Sequence, residues 1–265
     1  MLNRRSILSA AGALAFASPT RARSGATLKV ATFNIWHDRG DWSLRGPMVA
    51  ETLRRIDADV IGLQEVLEDA ATGLPNQART LAQALGGYDV RFSSTDAADA
   101  PRRYGNAILS RRPVLASDTV ALEPLDDFRT AVRTMIDVDG RPVEVVNTHL
   151  HHTGEGAAIR ARQTRHLLEW LGEPTGPRVI MGDFNATLDD AGLEPLTSRL
   201  VSALPAGAAP TTLNPADGHA PRVIDHIFVG PGARVLSAAV SGDAGFSPRL
   251  PSDHFAVFAE IQLQV

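Results

Sequence analysis

Apolar and polar residues alternate from Leu28 to Ile35, a period of two that predicts a strand delivering Asn34 at its end. Val49, Leu53 and Ile56 then recur at helical spacing, with Pro47 at the expected helix start. Asp59 to Leu63 reads as a short buried strand that ends at Glu65. Gln77 to Leu85 reads as a helix with Leu81 and Leu85 inward and Gly86-Gly87 as its stop. Ala107 to Leu109 is a strand. Arg129 to Val138 and Pro142 to Leu150 flank Asp139-Gly140, a two-residue hairpin turn. Ala157 to Leu171 is a helix with Ile159, Leu167 and Leu171 on its inward face. Arg178 to Met181 leads into Gly182-Asp183, and Val223 to Val229 and Phe255 to Leu263 are the closing strands. Pro205 to Arg222 and Ser241 to Ser252 read as loops rich in Gly, Pro and Ala. Strands outnumber helices, hairpins dominate, and the polar residues of interest sit at strand ends. The class this predicts is α+β, two packed sheets with helices outside. A doubly wound parallel sheet would need a helix after nearly every strand.

The first residues follow a different pattern. Asn3-Arg4-Arg5-Ser6 precedes an uncharged apolar run from Ile7 to Ala17, then Ser18, Pro19 and small residues up to Ala26. This is the layout of a secretory signal, and its apolar run is too short to span a bilayer. The paired arginines resemble a twin-arginine export signal. We therefore expect a signal peptide over 1–26, one mature domain over 27–265, and an exported, periplasmic or extracellular location. No transmembrane segment is expected.

Removing that segment changes the charge. It takes four arginines and no acid, so 26 − 4 = 22 basic residues face 30 acidic ones, a net of −8. Lys29 is the only lysine. Proteins that grip nucleic acid through many phosphates are usually basic, so extended polynucleotide is disfavoured as a ligand. With zero cysteines there is neither a disulfide framework nor a thiolate metal site.

Candidate chemistry concentrates in three segments: Glu65 in Gly62-Leu-Gln-Glu65-Val66, the run Met181-Gly-Asp183-Phe-Asn185, and Ser252-Asp253-His254. Each places carboxylates, an amide or an imidazole at the end of an apolar stretch. A phosphoester resists attack because its anionic oxygens repel a nucleophile. A divalent cation held by hard oxygen ligands offsets that charge, while a carboxylate and an imidazole handle the protons. Oxygen ligands suit Mg²⁺ or Mn²⁺, and no His-x-x-x-His pair or Cys cluster points to zinc.

The chain resembles the endonuclease/exonuclease/phosphatase superfamily, which includes DNase I-like nucleases, neutral sphingomyelinases and inositol polyphosphate 5-phosphatases. The resemblance runs in order through Thr32-Phe-Asn34, Leu63-Gln-Glu65, Gly105-Asn-Ala-Ile-Leu-Ser110, Asn147-Thr-His149-Leu150, Gly182-Asp-Phe-Asn185, Ile224-Asp-His226 and Ser252-Asp-His254. It implies a four-layer α/β/β/α sandwich of two mostly antiparallel sheets, with the site where strand-end loops of both sheets meet. It implies Glu65 as the principal metal ligand, with Asn34 beside it and Asp253 completing the set. Asp183 would orient or deprotonate the attacking water, and Asn185 would bind the phosphate. His254 would stabilise transition-state charge with its ring fixed by Asp225, and His149 would contact the phosphate and help protonate the leaving oxygen.

Around this set, Trp36 and Trp42 are candidates for the rim or for stacking on substrate, and Arg129 and Arg133 for contact with a substrate phosphate. His226 is left out, because its side chain should point opposite to Asp225 along the strand. His151 and His152 are expected at the rim, and Arg160, Arg162 and Arg165 on the wet face of their helix. The Trp-x-Gly-Asp-x-Asn and Cys-Asp-Arg signatures of the 5-phosphatases are missing, and the two long loops offer only Phe246 as a membrane-seeking aromatic. The expectation is a compact, monomeric, metal-dependent phosphoesterase with no dedicated protein partner. A DNase-like nuclease acting on nucleic acid is the alternative, and a non-catalytic phosphoester-binding protein the second. Mass spectrometry of the protein from its native host should find the mature N-terminus between Ser18 and Thr27. An intact Met1 on soluble cytoplasmic protein would refute export.

Overall fold

The computed structural model describes residues 25–241 and 250–264. The expected signal segment up to residue 24, and Phe246, lie outside the described residues. Ala26 already packs on the core, and its carbonyl accepts a hydrogen bond from Leu263 N–H at 2.8 Å.

The elements in chain order are β1 (Thr27–Asn34), α1 (Trp42–Ile56), β2 (Val60–Asp69), α2 (Gln77–Leu85), β3 (Asp89–Ser94), β4 (Arg102–Ser110) and β5 (Val114–Ala121). They continue with β6 (Thr130–Val138), β7 (Arg141–His149), α3 (Ala157–Leu171), β8 (Arg178–Asp183), the single-turn α4 (Glu194–Thr197), β9 (Val201–Ser202), β10 (Asp225–Val229), β11 (Ala233–Val240) and β12 (Val257–Leu263). Among the described residues twelve strands form two six-stranded sheets, ordered β11-β12-β1-β2-β4-β3 and β5-β6-β7-β8-β10-β9. Only β1–β2 and β7–β8 are parallel among the described residues; every other pairing there is antiparallel. Among the described residues no helix is long and apolar enough to cross a membrane.

Strand alternation sorts the side chains into three apolar layers. Leu28, Val30, Val60, Ile108, Val132, Val145, Met181 and Ile261 pack between the sheets. The opposite faces of β1, β2 and β4 bury Ala31, Phe33, Ile61, Leu63 and Leu109 against Val49 and Leu53 of α1 and Leu81 of α2. On the other sheet, Val146, Ile180 and Phe228 bury Leu167 and Leu171 of α3 and Leu196 of α4. The result is the expected α/β/β/α stack.

Buried amides cross the inner layer in both directions: Asn106 Nδ2 on β4 donates to the Thr130 carbonyl on β6 at 2.9 Å, and Asn147 reaches the opposite way. Asn147 on β7 is fully buried and donates from Nδ2 to the carbonyls of Leu63 and Ala107 in the facing sheet, both at 2.9 Å. Its Oδ1 accepts from Gln64 Nε2 at 2.6 Å, and the same amide nitrogen reaches Thr32 Oγ1 at 2.9 Å. Gly62 makes this approach possible: a Cβ there would lie 2.7 Å from Asn147 Oδ1 and 2.9 Å from Met181 Cε.

Several boundaries differ from expectation. α1 begins at Trp42, not at Pro47, because Asp41 caps it by accepting from Ser43 N–H at 3.0 Å. Pro47 is tolerated one turn into the helix. β2 runs on to Asp69 because a bulge lets pairing with β4 resume beyond Glu65. Strands β3, β5 and β11 escape the sequence pattern; β5 and β11 are largely exposed on the sheet edges and carry little apolar alternation. Arg160 does not face solvent. It is 1% exposed on the packed face of α3, bound to Asp190 at 2.6 Å and to the Thr153 carbonyl at 2.7 Å, whereas Ile159 is only half-buried.

Asn147→Ala should strand two buried carbonyls and the Gln64 amide. At roughly 1–3 kcal/mol for each unsatisfied group, the variant should lose ~3 kcal/mol or more in denaturant unfolding. A loss below ~1 kcal/mol would show that the crossing is not holding the sheets in register.

Candidate active site

Alternation along four strands brings their polar ends to one place. The inward positions run Leu28, Val30, Thr32, Asn34 on β1; Val143, Val145, Asn147, His149 on β7; and Val179, Met181, Asp183 on β8. On β10 they run back from Val229 through Ile227 to Asp225, which pairs in register with Asp183. His226, one residue on, points the other way, as expected, into the layer under α3. There its Nε2 meets the Ala186 carbonyl at 2.8 Å and its ring lies 5.8 Å from Phe184. Gly182 lets β8 run close to β7, since a Cβ would lie 2.0 Å from the Thr148 carbonyl oxygen.

Glu65 reaches the site by breaking the alternation. Leu63 faces the helices and Gln64 faces inward, so a regular strand would turn Glu65 away from the site. The bulge between Leu63 and Val66 puts Glu65 at φ 59, in the left-handed region, and both Gln64 and Glu65 project inward.

Asp183 is the centre of the cleft and 1% exposed. Its Oδ2 accepts from Asn34 Nδ2 at 3.0 Å and lies 3.4 Å from His149 Nε2 and 3.8 Å from His254 Nε2. Its Oδ1 accepts from Asn185 N–H at 2.9 Å, which holds the following turn. Asn34 also donates to Glu65 Oε1 at 3.2 Å. Its own Oδ1 accepts from Trp36 N–H at 3.0 Å, so the amide offers N–H groups to both carboxylates. Asn185 Nδ2 donates to the Leu150 carbonyl and to His149 Nε2, which makes Nε2 the acceptor and puts the His149 proton on Nδ1. His254 Nδ1 donates to Asp225 Oδ2 at 2.9 Å. Ser252 ties the last segment to β1 by donating to the Asn34 carbonyl at 2.7 Å.

The two histidines differ in charge state. Burial, then Arg129 and His254, hold His149 well below the usual histidine range, so it is neutral. Burial also opposes the His254 cation, but Asp225 and Asp183 override it and lift that imidazole to about 10. Burial, with Asp225 next in order, pushes the Asp183 carboxyl up, and burial likewise raises Asp253, with Glu65 adding to it.

The donor set fits a divalent cation. Carboxylates of Glu65, Asp183, Asp225 and Asp253 converge, those of Asp183 and Asp253 are pushed up by burial and by a neighbouring carboxylate, and Asp225 Oδ1 is buried with no hydrogen-bond partner. Asp183, Asp225 and His254 have ligand atoms within 4.8 Å of one another, as do Asp217, His219 and Asp253 nearer the surface. All but the two imidazoles are hard oxygen donors.

The cleft has a volume of about 450 Å³ and its wall includes Arg129. Trp36 and Trp42 are not among its lining residues. They lie against the Arg45 guanidinium, at 5.2 and 5.4 Å from their ring centres. Arg133 pairs with Asp118 and Glu144 elsewhere on the sheet. Tyr104, His152, His219 and Arg222 also line the cleft. Of these, only His152 was expected nearby. Tyr104 was legible in principle, since it shares inward parity with Asn106 and Ile108 on β4. His219 and Arg222 come from a loop with no periodicity, which the Leu213–His254 bridge folds onto the site.

Two six-stranded sheets flanked by helices, with an acid–imidazole cleft where their strand ends meet, define the DNase I-like class of fold. The chain belongs to the Endonuclease/Exonuclease/phosphatase family, whose profile matches residues 31–254. It is similar to an endonuclease/exonuclease/phosphatase from Bacteroides vulgatus, with a TM-score of 0.74 at 25% identity over 90% of this chain and 99% of that one. It is also similar to the mannosyl-6-phosphatase Bt3783 of Bacteroides thetaiotaomicron VPI-5482 (TM-score 0.71, 23% identity, 88% of this chain and 99% of that one). The human Nocturnin catalytic domain with bound sulfate gives 0.73 at 21% identity, over 90% of this chain and 95% of that one. No curated protein matches the chain.

The His254 proton gives a pH test. An imidazole lifted to about 10 in the folded state, against ~6.5 unfolded, contributes stability that is complete below ~6.5 and lost as pH rises through 10. In EDTA, unfolding free energy should therefore fall between about pH 7 and about pH 10, and fall less in Asp225→Asn. Identical pH slopes for the two proteins in urea unfolding would refute the pairing as the cause.

Proposed function

We propose that this protein hydrolyses a phosphomonoester or phosphodiester by attack of water, assisted by Mg²⁺ or Mn²⁺. The observation that carries the proposal is the convergence of Asn34, His149 and His254 on Asp183 Oδ2, with His254 backed by Asp225. Glu65 and Asp253 would hold the cation, with Asn34 beside them. When bound, the ion offsets the charge on the phosphoester and favours hydroxide over water.

The protein's own groups divide the remaining work. Asp183 orients the attacking water and accepts its proton; burial has already raised the proton affinity of that carboxylate. The His254 imidazolium, kept charged by Asp225, donates to a phosphate oxygen and stabilises the charge of the transition state. Asn185 and His149, bonded to each other, face the phosphate. An anionic substrate offsets the penalty that keeps His149 neutral, so His149 gains a proton with the substrate and can pass it to the leaving oxygen.

The small cleft and the net charge of the chain favour a small phosphoester over duplex DNA. The Arg4-Arg5 pair and apolar run support an exported location, so the activity would act outside the cytoplasm.

EDTA should abolish hydrolysis of p-nitrophenyl esters, and Mg²⁺ or Mn²⁺ should restore it; full activity with metal content confirmed as nil would overturn the mechanism. Asp183→Asn and His254→Ala should each lower kcat by about a hundredfold or more. Glu65→Gln should weaken metal binding and be partly rescued by high Mg²⁺. A higher kcat/KM per scissile bond on plasmid DNA than on a small ester would put the nuclease alternative first.

A further inference from the structure

Phe128 is the most exposed of the large apolar side chains among the described residues, at 70%. It also adopts φ 55, a left-handed conformation disfavoured for a bulky residue. The turn that imposes it is bolted down. A single 3-10 turn over Leu125–Asp127 precedes it, and Phe128 N–H donates to the Leu125 carbonyl at 3.3 Å. Asp127 accepts from His151 Nδ1 at 2.8 Å and from Gln163 Nε2 of α3 at 2.7 Å. Strain held this firmly, on an apolar ring turned outward beside Arg129, marks a surface built to meet something.

What it meets is set by its neighbours. Phe128 walls a second hollow of about 490 Å³ that shares Glu65 and Tyr104 with the catalytic cleft. His37, Arg39 and Arg102 form other parts of its lining. A group in this hollow is therefore adjacent to a phosphorus held in the cleft. Besides the Phe128 ring, the hollow offers guanidinium groups, whose planes stack on π-systems; an alkyl group would gain only from buried area.

We propose that this hollow is a subsite for a planar aromatic ring carried on an alcohol of the phosphoester, with Phe128 as its stacking face. The proposal rests on the phosphoester reading of the adjoining cleft. Such a ring is either a nucleobase or a simple aryl group. A base inside a duplex is already stacked and cannot lie on Phe128, so a nucleotide substrate would be single-stranded or monomeric.

The test compares benzyl methyl phosphate with cyclohexylmethyl methyl phosphate, two diesters of similar size that differ in the π-face. Thymidine 5′-methyl phosphate adds the nucleobase arm. The protein should prefer the benzyl ester in kcat/KM by about tenfold, the scale of one stacked ring. That ratio should fall toward one in Phe128→Ala and persist in Phe128→Trp. A larger Phe128-dependent preference for the thymidine ester would name the nucleobase as the ring, and a larger one for the benzyl ester a simple aryl group. A ratio near one in the unmodified protein, or a ratio that survives in Phe128→Ala, overturns the proposal. Should no ester be cleaved with Mg²⁺ or Mn²⁺, the hydrolytic reading fails alone. Calorimetric binding of the same diesters then gives the ratio directly: a Phe128-dependent preference for the ring supports the subsite, and its absence overturns it.

Discussion

The buried Asn147 amide is the constraint on which the site depends. It leaves its own sheet and satisfies two carbonyls of the other, those of Leu63 and Ala107, a register pair at the edge of the Glu65 bulge. A bulge interrupts a ladder and leaves groups unpaired; in a dry inner layer those groups need a partner or cost roughly 1–3 kcal/mol each. Asn147 supplies the partner, and Gln64 joins it to Thr32. The same contacts therefore fix the spacing of the sheets, keep Glu65 turned inward, and place β1 opposite β8 so that Asn34 meets Asp183. Gly62 is the matching absence of a side chain that lets the amide in.

A second fixture acts at the rim. Arg45 on α1 is buried and spends its donors on five backbone carbonyls, those of Ile35, Trp36, His37, Arg39 and Pro251. A buried guanidinium is tolerable when every N–H finds an acceptor, and here the acceptors come from two loops. The turn after β1 and the approach to Ser252-Asp253-His254 are thereby held to one helix. Trp36 and Trp42 both pack against the Arg45 guanidinium, which gives two of the three tryptophans a role so close after Asn34.

Electrostatics in the cleft follows from burial acting on unlike neighbours. Two imidazoles within 4 Å of one carboxylate oxygen end in different protonation states. His254 has Asp225 behind it and keeps its proton, whereas His149 faces Arg129 and an amide donor and gives its proton up. One carboxylate thus lies between a fixed cation and a neutral base, each held in its protonation state by its own neighbours.

Much of this was determined by sequence alone. Strand-end polar residues, read through the family resemblance, grouped Asn34, His149, Asp183 and Asp225 into one site, and period-two alternation set His226 on the face opposite Asp225. The boundaries of α2 and α3 followed from helical spacing, with Gly86-Gly87 marking the end of α2. Tertiary structure decided what local pattern cannot encode. The direction of Glu65 depends on a bulge held by an amide from the other sheet. Arg160 is buried because Asp190 and a loop carbonyl wait for its charge. Trp36 turns to Arg45 rather than to the cleft, and an aperiodic loop brings His219 and Arg222 to the wall. In each case the deciding partner lies far along the chain, and a periodic pattern reports only which face a residue is on, never what arrives there to meet it.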